Sequence, residues 1–136
     1  MMIDIDLLLA CGAAYKKLSA GETVFTEAAQ CQFYHQLVSG RIRWVNIDDE
    51  GNEFIQTIID PGECFGEIPL FDNGPYAATA IADVQSIILR LHKSSFLQLL
   101  KENPELHFSF CQLLAKRVRF KFLLLKSLAL QKPAKN

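Results

Sequence analysis

The stretch from Pro61 to Ala82, PGECFGEIPLFDNGPYAATAIA, constrains this chain more than any other. Pro61-Gly62 and Asp72-Asn73-Gly74-Pro75 are tight-turn signals, because proline presets φ while glycine and asparagine accept left-handed backbone. Between them Gly66 lets backbone come close to a ligand, Glu67 sets one carboxylate beside it, and Ile68-Pro69-Leu70-Phe71 forms a short apolar turn. Small residues, Ala77, Ala78, Thr79 and Ala80, then enter an extended run. No long helix fits here. Short strands joined by tight turns do.

The same texture runs from Tyr15 to Leu91. Ala20-Gly21-Glu22 precedes Thr23 to Thr26, Ser39-Gly40 precedes Arg41 to Val45, and Asp48 to Gly51 precedes Phe54 to Ile59; Ala80 to Ala82 and Ser86 to Leu91 complete the series. Many short strands at this spacing predict an all-β sandwich, jelly roll or barrel. Arg41, Arg43 and Asn46 interleave with Ile42, Trp44, Val45 and Ile47, which predicts a hairpin strand with one wet face. Residues 1–14 read as a short N-terminal helix behind Asp4 and Asp6. From Lys93 the period becomes helical. Ser94 or Ser95 is placed to cap a short helix through Leu100, and Asn103-Pro104 opens a long one to about Leu130. Its run Phe122-Leu123-Leu124-Leu125 covers more than one helical face, so a second covering surface is implied.

At 136 residues, half of them apolar and 21% charged, the chain has the size and composition of one globular domain. Its apolar runs are too short to span a bilayer, and the acidic N-terminus lacks the basic region of a signal peptide, which reads as a cytoplasmic protein without membrane contact. Cys11, Cys31, Cys64 and Cys111 are scattered, with no C-x-x-C pair, and read as buried, unreactive thiols rather than a disulfide scaffold or metal set. Residues 1–102 carry 7 basic and 14 acidic side chains, whereas residues 103–136 carry 7 basic and 1 acidic. Such a basic tail fits either nucleic-acid or partner contact or the solvated face of a helix; the second reading is preferred.

The segment 61–82 resembles the phosphate-binding cassette of cyclic nucleotide-binding domains, as in the protein kinase A regulatory subunit and the Crp/Fnr transcription regulators. The family pattern is G-E-x-A-L, a spacer, then R-A-A or R-S-A; Gly66, Glu67, Leu70, Ala77, Ala78 and Thr79 match it without a gap. The order of elements also resembles the Crp/Fnr sensor domain over nearly the whole chain. The resemblance implies a mainly β fold with flanking α: a double-stranded β-helix (jelly roll) over 15–92, then C-terminal helices over 94–130 that include a long dimerisation helix. It implies a ligand-sensing regulatory domain, homodimeric through that helix. DNA contact would fall to a helix-turn-helix that this chain lacks, and Pro133 to Asn136 sit where it would begin, which reads as either a stand-alone sensor or a cut at a domain boundary, the cut preferred. Fnr-type iron–sulfur ligation needs clustered N-terminal cysteines, and Cys11 stands alone.

The resemblance assigns ligand contact to Phe65, Gly66, Glu67, Ile68, Pro69, Leu70, Tyr76, Ala77, Ala78 and Thr79, with Lys121 a distant cation from the long helix. Two of these depart from the pattern. Tyr76 stands where the arginine should be, and Pro69, which has no amide proton, stands at the alanine. Losing a forked charged contact costs ~3 kcal/mol or more, about a hundredfold in affinity. The effector is therefore read as another small molecule or none, with a cyclic nucleotide receptor binding through backbone amides as the alternative. Glu67 either accepts a sugar hydroxyl or caps the amides of the Ile68–Phe71 turn; Tyr76 either stacks on a ligand ring or fills the vacated space. A cupin-type metal enzyme, the rival of another class, needs paired histidines. His35, His92 and His107 are isolated and read as surface or strand-end residues, so neither a catalytic nor a metal site is expected.

Overall fold

The computed structural model describes residues 3–131, so the expected boundary at Pro133 to Asn136 lies outside the described residues. The chain divides into two compact units, one through Leu99 and one from Leu100.

The first unit opens with α1 (Ile5–Ala10), where Asp4 accepts from the Leu7 amide at 3.1 Å as its cap. Eight strands follow: β1 (Ala14–Leu18), β2 (Thr23–Phe25), β3 (Phe33–Ser39), β4 (Ile42–Ile47), β5 (Glu53–Ile59), β6 (Cys64–Phe65), β7 (Thr79–Ala82) and β8 (Ser86–His92). One five-residue helix, α2 (Ile68–Asp72), interrupts them between β6 and β7. The strands make two antiparallel four-stranded sheets, ordered β1-β8-β3-β6 and β2-β7-β4-β5. Between the sheets lies the core of Leu18, Leu37, Ile42, Ile59, Phe65, Ala80, Ala82 and Ile88, with Val24, Phe25 and Trp44 packed against it. This two-sheet architecture falls among the sandwich, jelly-roll and barrel classes that the turn spacing predicts, and it fits the jelly roll that the family resemblance implies.

The wet-face reading of β4 holds only in part. Ile42 and Val45 are both fully buried, three residues apart, because the register against β5 slips between Trp44 and Val45. Gly40, between β3 and β4, is obligatory: its φ is +95°, and a Cβ there would lie 2.2 Å from Ser86 Oγ. The first sheet is covered on its outer face too. Tyr34 stacks on Phe96 of α3 (Lys93–Glu102), with ring centroids 4.7 Å apart. Beside it the Gln36 amide clasps the start of the chain, accepting from the Ile3 amide (3.0 Å) and the Tyr34 hydroxyl (2.6 Å) and donating to the Ile3 carbonyl (2.8 Å). Because α3 begins at Lys93, Ser94 and Ser95 lie inside its first turn rather than before it.

The second unit consists mainly of α4 (Pro104–Leu130), 27 residues with the proline in its first turn as the sequence predicts. Phe110 is buried, whereas Phe108, Val118, Phe120, Phe122, Leu123, Leu124, Leu125, Leu128 and Leu130 are 43–74% exposed.

Gln36→Leu should strand the Ile3 amide and carbonyl away from water. The expected loss is about 1–3 kcal/mol per group left unpaired. It would be read as a lower urea midpoint at unchanged m-value; a midpoint equal to wild type would show that the clasp carries no stability.

Candidate functional site

The turn between β6 and α2 decides the geometry of the cassette. Phe65, fully buried, ends β6, and Gly66 follows with φ +66°. A Cβ on Gly66 would meet Phe25 Cζ at 2.6 Å and Tyr76 Cε1 at 3.1 Å. Two aromatic rings therefore lie directly against this backbone. They stack on each other with centroids 3.7 Å apart and planes 7° from parallel. Phe25 also packs on Trp44 (5.5 Å), His35 (5.2 Å) and Phe65 (6.1 Å), so it is the hub of a five-ring cluster.

Tyr76 is buried, and its backbone is fixed from both sides: its carbonyl accepts from the Ala28 amide at 2.8 Å, and its amide donates to the Ala29 carbonyl at 3.0 Å. The loop that supplies these bonds takes a left-handed turn at Ala28, with φ 71°. Burial pushes the phenol well above its ordinary pKa, and a hydrogen bond with Cys31 adds to this, so Tyr76 stays neutral. The Cys31 thiol in turn donates to the Phe33 carbonyl at 3.4 Å. Tyr76 is thus buried against Phe25 within the first unit.

Glu67 is buried at the N-terminus of α2 and makes no side-chain cap bond to the helix, which removes the capping role. Pro69 and Leu70 are buried in α2, whereas Ile68 is 54% exposed. Asn73 ends this helix in the left-handed conformation, and Lys93 Nζ reaches Asn73 Oδ1 at 2.7 Å. Ala77 is exposed; its carbonyl accepts from Asn46 Nδ2 at 2.9 Å. Ala78 and Thr79 are buried, and Thr79 Oγ1 accepts from the Glu27 amide at 2.9 Å. The structure therefore gathers Phe65 to Leu70 and Tyr76 to Thr79 in the first unit. Lys121 is exposed on α4 in the second.

Two readings of reactive side chains need correction. His35 is neither at the surface nor at a strand end: it is 4% exposed in the middle of β3, because β3 sends Phe33, His35 and Leu37 to the inner face. Burial first, then the nearby positive charges of Arg90 and Lys16, lowers its pKa to about 3. Cys31 and Cys64 are buried as expected, but Cys111 is exposed on α4 and Cys11 is half-buried. Sequence reasoning missed Phe25, His35 and Trp44 as neighbours of the cassette. Period-two alternation from Leu37 back to Phe33 was the available signal for His35.

The model of the cyclic nucleotide-binding domain family matches residues 15–103, from the start of β1 to the end of α3. The chain belongs to that family. It is 30% identical to the cyclic AMP receptor protein of Thermus thermophilus over 73% of its own length and 46% of the relative's. Among solved structures, it is similar to the Thermus thermophilus catabolite activator protein, with TM-score 0.82, 29% identity, and coverage of 92% of this chain and 58% of that one. It is also similar to the sensor domain of the transcriptional regulator DNR from Pseudomonas aeruginosa, with TM-score 0.73, 28% identity, and coverage of 85% and 77%. The chain spans less than half the length of the curated receptor it matches. Among the described residues, no helix is long and apolar enough to cross a membrane, and no group of three acidic, histidine or cysteine side chains is arranged to hold a metal ion.

The buried imidazole of this cyclic nucleotide-binding domain sets a pH dependence. Unfolded, His35 gains a proton below about pH 6.5; folded, it stays neutral down to about pH 3. Stability contributed by the neutral form is complete above pH 6.5 and falls as pH drops toward 3. His35→Phe keeps a ring in the cluster and removes this titration. Between pH 6 and 5 the wild type should lose up to ~1.4 kcal/mol per pH unit more than the variant, seen in denaturant midpoints at each pH. Parallel curves would contradict a neutral buried His35.

Proposed function

We propose that this chain is a cytoplasmic ligand-sensing module of a Crp/Fnr-like transcription regulator whose cassette has lost tight affinity for cyclic AMP. The observation that carries this reading is the Phe25–Tyr76 stack at 3.7 Å over Gly66. A cyclic phosphate needs donors and preferably a cation in a buried site. Here the position aligned with the family's arginine holds a buried neutral phenol, and Pro69 offers no amide proton. The proposed contact residues remain Phe65 to Leu70, Tyr76, Ala77, Ala78 and Thr79. The effector is a small molecule other than cyclic AMP, or the module works without one. The role is regulatory rather than catalytic.

Titration calorimetry tests this. Cyclic AMP should bind wild type with a dissociation constant weaker than ~10 μM, and Tyr76→Arg should tighten binding at least ~tenfold by restoring one charged contact. Wild-type binding at or below the low micromolar range would favour the rival reading, a cyclic nucleotide receptor that holds phosphate through backbone amides.

The module is further proposed to pair with a second copy through α4. Phe122 to Leu125, four consecutive large apolar residues, are 43–67% exposed in the single chain, together with Phe120 and Leu128. Monomers rarely leave such a patch in water, and a two-fold pairing of the helix with itself is the simplest cover. Sequence-specific DNA contact is assigned to the part of the relatives that this chain does not span. Sedimentation at tens of micromolar should give a dimer, and Leu124→Asp should convert it to monomer or aggregate. A monomeric wild type at that concentration would overturn the pairing.

A further inference from the structure

The inner face of the first sheet carries a second constellation, separate from the cassette turn. Cross-strand pairing sets Ala14, Arg90, His35 and Phe65 in one row across β1, β8, β3 and β6. Directly opposed residues of an antiparallel pair share a face. Arg90 and His35 are therefore neighbours, and the adjoining rows add Lys16 opposite Ile88 and His92 opposite Phe33. The Arg90 guanidinium lies 4.7 Å over the Phe33 ring. Two atoms in this row are buried with no hydrogen-bond partner: His35 Nδ1 and Arg90 Nε. Buried polar atoms are rarely left so.

The charge around them is one-sided. Residues 1–102 have twice as many acids as bases, yet none of the acids reaches this row. Arg41 and Arg43 hold Asp83 and Glu53, and Lys93 holds oxygens of Asn73 and Pro69. Among the described residues, Arg90 and Lys16 have no carboxylate partner, and the charges that act on His35 are those two cations. Arg90 and Lys16 are half-exposed, whereas His35 is buried.

We propose that the Arg90–His35–Lys16 row is a binding site for a small oxyanion, a phosphate or a carboxylate. The guanidinium Nε–H and an Nδ1–H of the neutral imidazole would each donate to one oxygen, and Lys16 would supply a second positive charge at the mouth. No carboxylate needs to be displaced for the anion to enter. The site communicates with the cassette by contact alone, since His35 packs on both Phe65 (5.4 Å) and Phe25 (5.2 Å), and Phe25 carries Tyr76.

Inorganic phosphate and succinate, titrated separately into the full chain, test the site through the imidazole ¹⁵N signals of His35. Saturable binding by either anion is expected, and the one that saturates first names the oxyanion class. Arg90→Gln should weaken it about tenfold or more, and Lys16→Gln about threefold or more, as loss of charged donors predicts. Lys17→Gln, on the same strand but outward and exposed, removes the same charge and should leave binding unchanged. The site is refuted if neither anion saturates by tens of millimolar (roughly the weakest range a specific ion site shows). It is also refuted if Lys17→Gln weakens binding as much as Lys16→Gln, or if folded Arg90→Gln binds like wild type. Because Arg90, Lys16 and Lys17 lie outside the cassette, a loss of anion binding in Arg90→Gln separates this row from phosphate held by the cassette amides, whether or not cyclic AMP binds.

Discussion

The contact between Gly66 and the paired rings of Phe25 and Tyr76 fixes the character of the whole β-roll. A left-handed backbone at Gly66, with no Cβ, lets Phe25 approach within ordinary packing distance of the main chain. Phe25 can then touch both sheets at once, meeting Trp44 from β4 and His35 and Phe65 from β3 and β6. Any side chain at position 66 would push that ring away and separate the rings it joins. Burying so many aromatic faces stabilises the roll, since each ring removes a large apolar area from water and gains from ring–ring geometry.

That same contact governs chemistry. An interior lined by aromatic rings has a low effective dielectric, which disfavours charge on any group within it. Burial is the largest cause that holds Tyr76 as a neutral phenol and His35 as a neutral imidazole. The ring cluster is therefore uncharged, whereas the row of Arg90 and Lys16 keeps its charges at a half-exposed edge. The two regions are linked through His35, which is packed against rings on one side and paired across strands with Arg90 on the other.

Strand β3 shows why both sheet faces matter. Phe33, His35 and Leu37 look into the roll, whereas Tyr34 and Gln36 look outward to Phe96 and to Ile3. A strand buried on both faces loses the clean polar–apolar alternation of a half-wet strand. The sequence FYHQLVS still sets His35 on the face of Phe33 and Leu37, but it gives no warning that Gln36, on the other face, is buried too. Gln36 tolerates burial because each atom of its amide is bonded, and His35 because it sheds its charge.

Turn chemistry, strand spacing and the long helix were legible in the chain itself, because proline, glycine and asparagine act on their own backbone and helical period needs no partner. So were the cassette and its family, since a glycine, a glutamate and a run of small residues at fixed spacing are local facts. Tertiary structure alone decided which rings meet. Phe25, His35 and Tyr76 are far apart in sequence, and only the stacking of two sheets brings them together. It also decided that Glu67 does not cap α2, that β4 slips register after Trp44, and that two cations on β1 and β8 face the interior without an acid. Pairing between distant strands sets these contacts, and no local propensity encodes it.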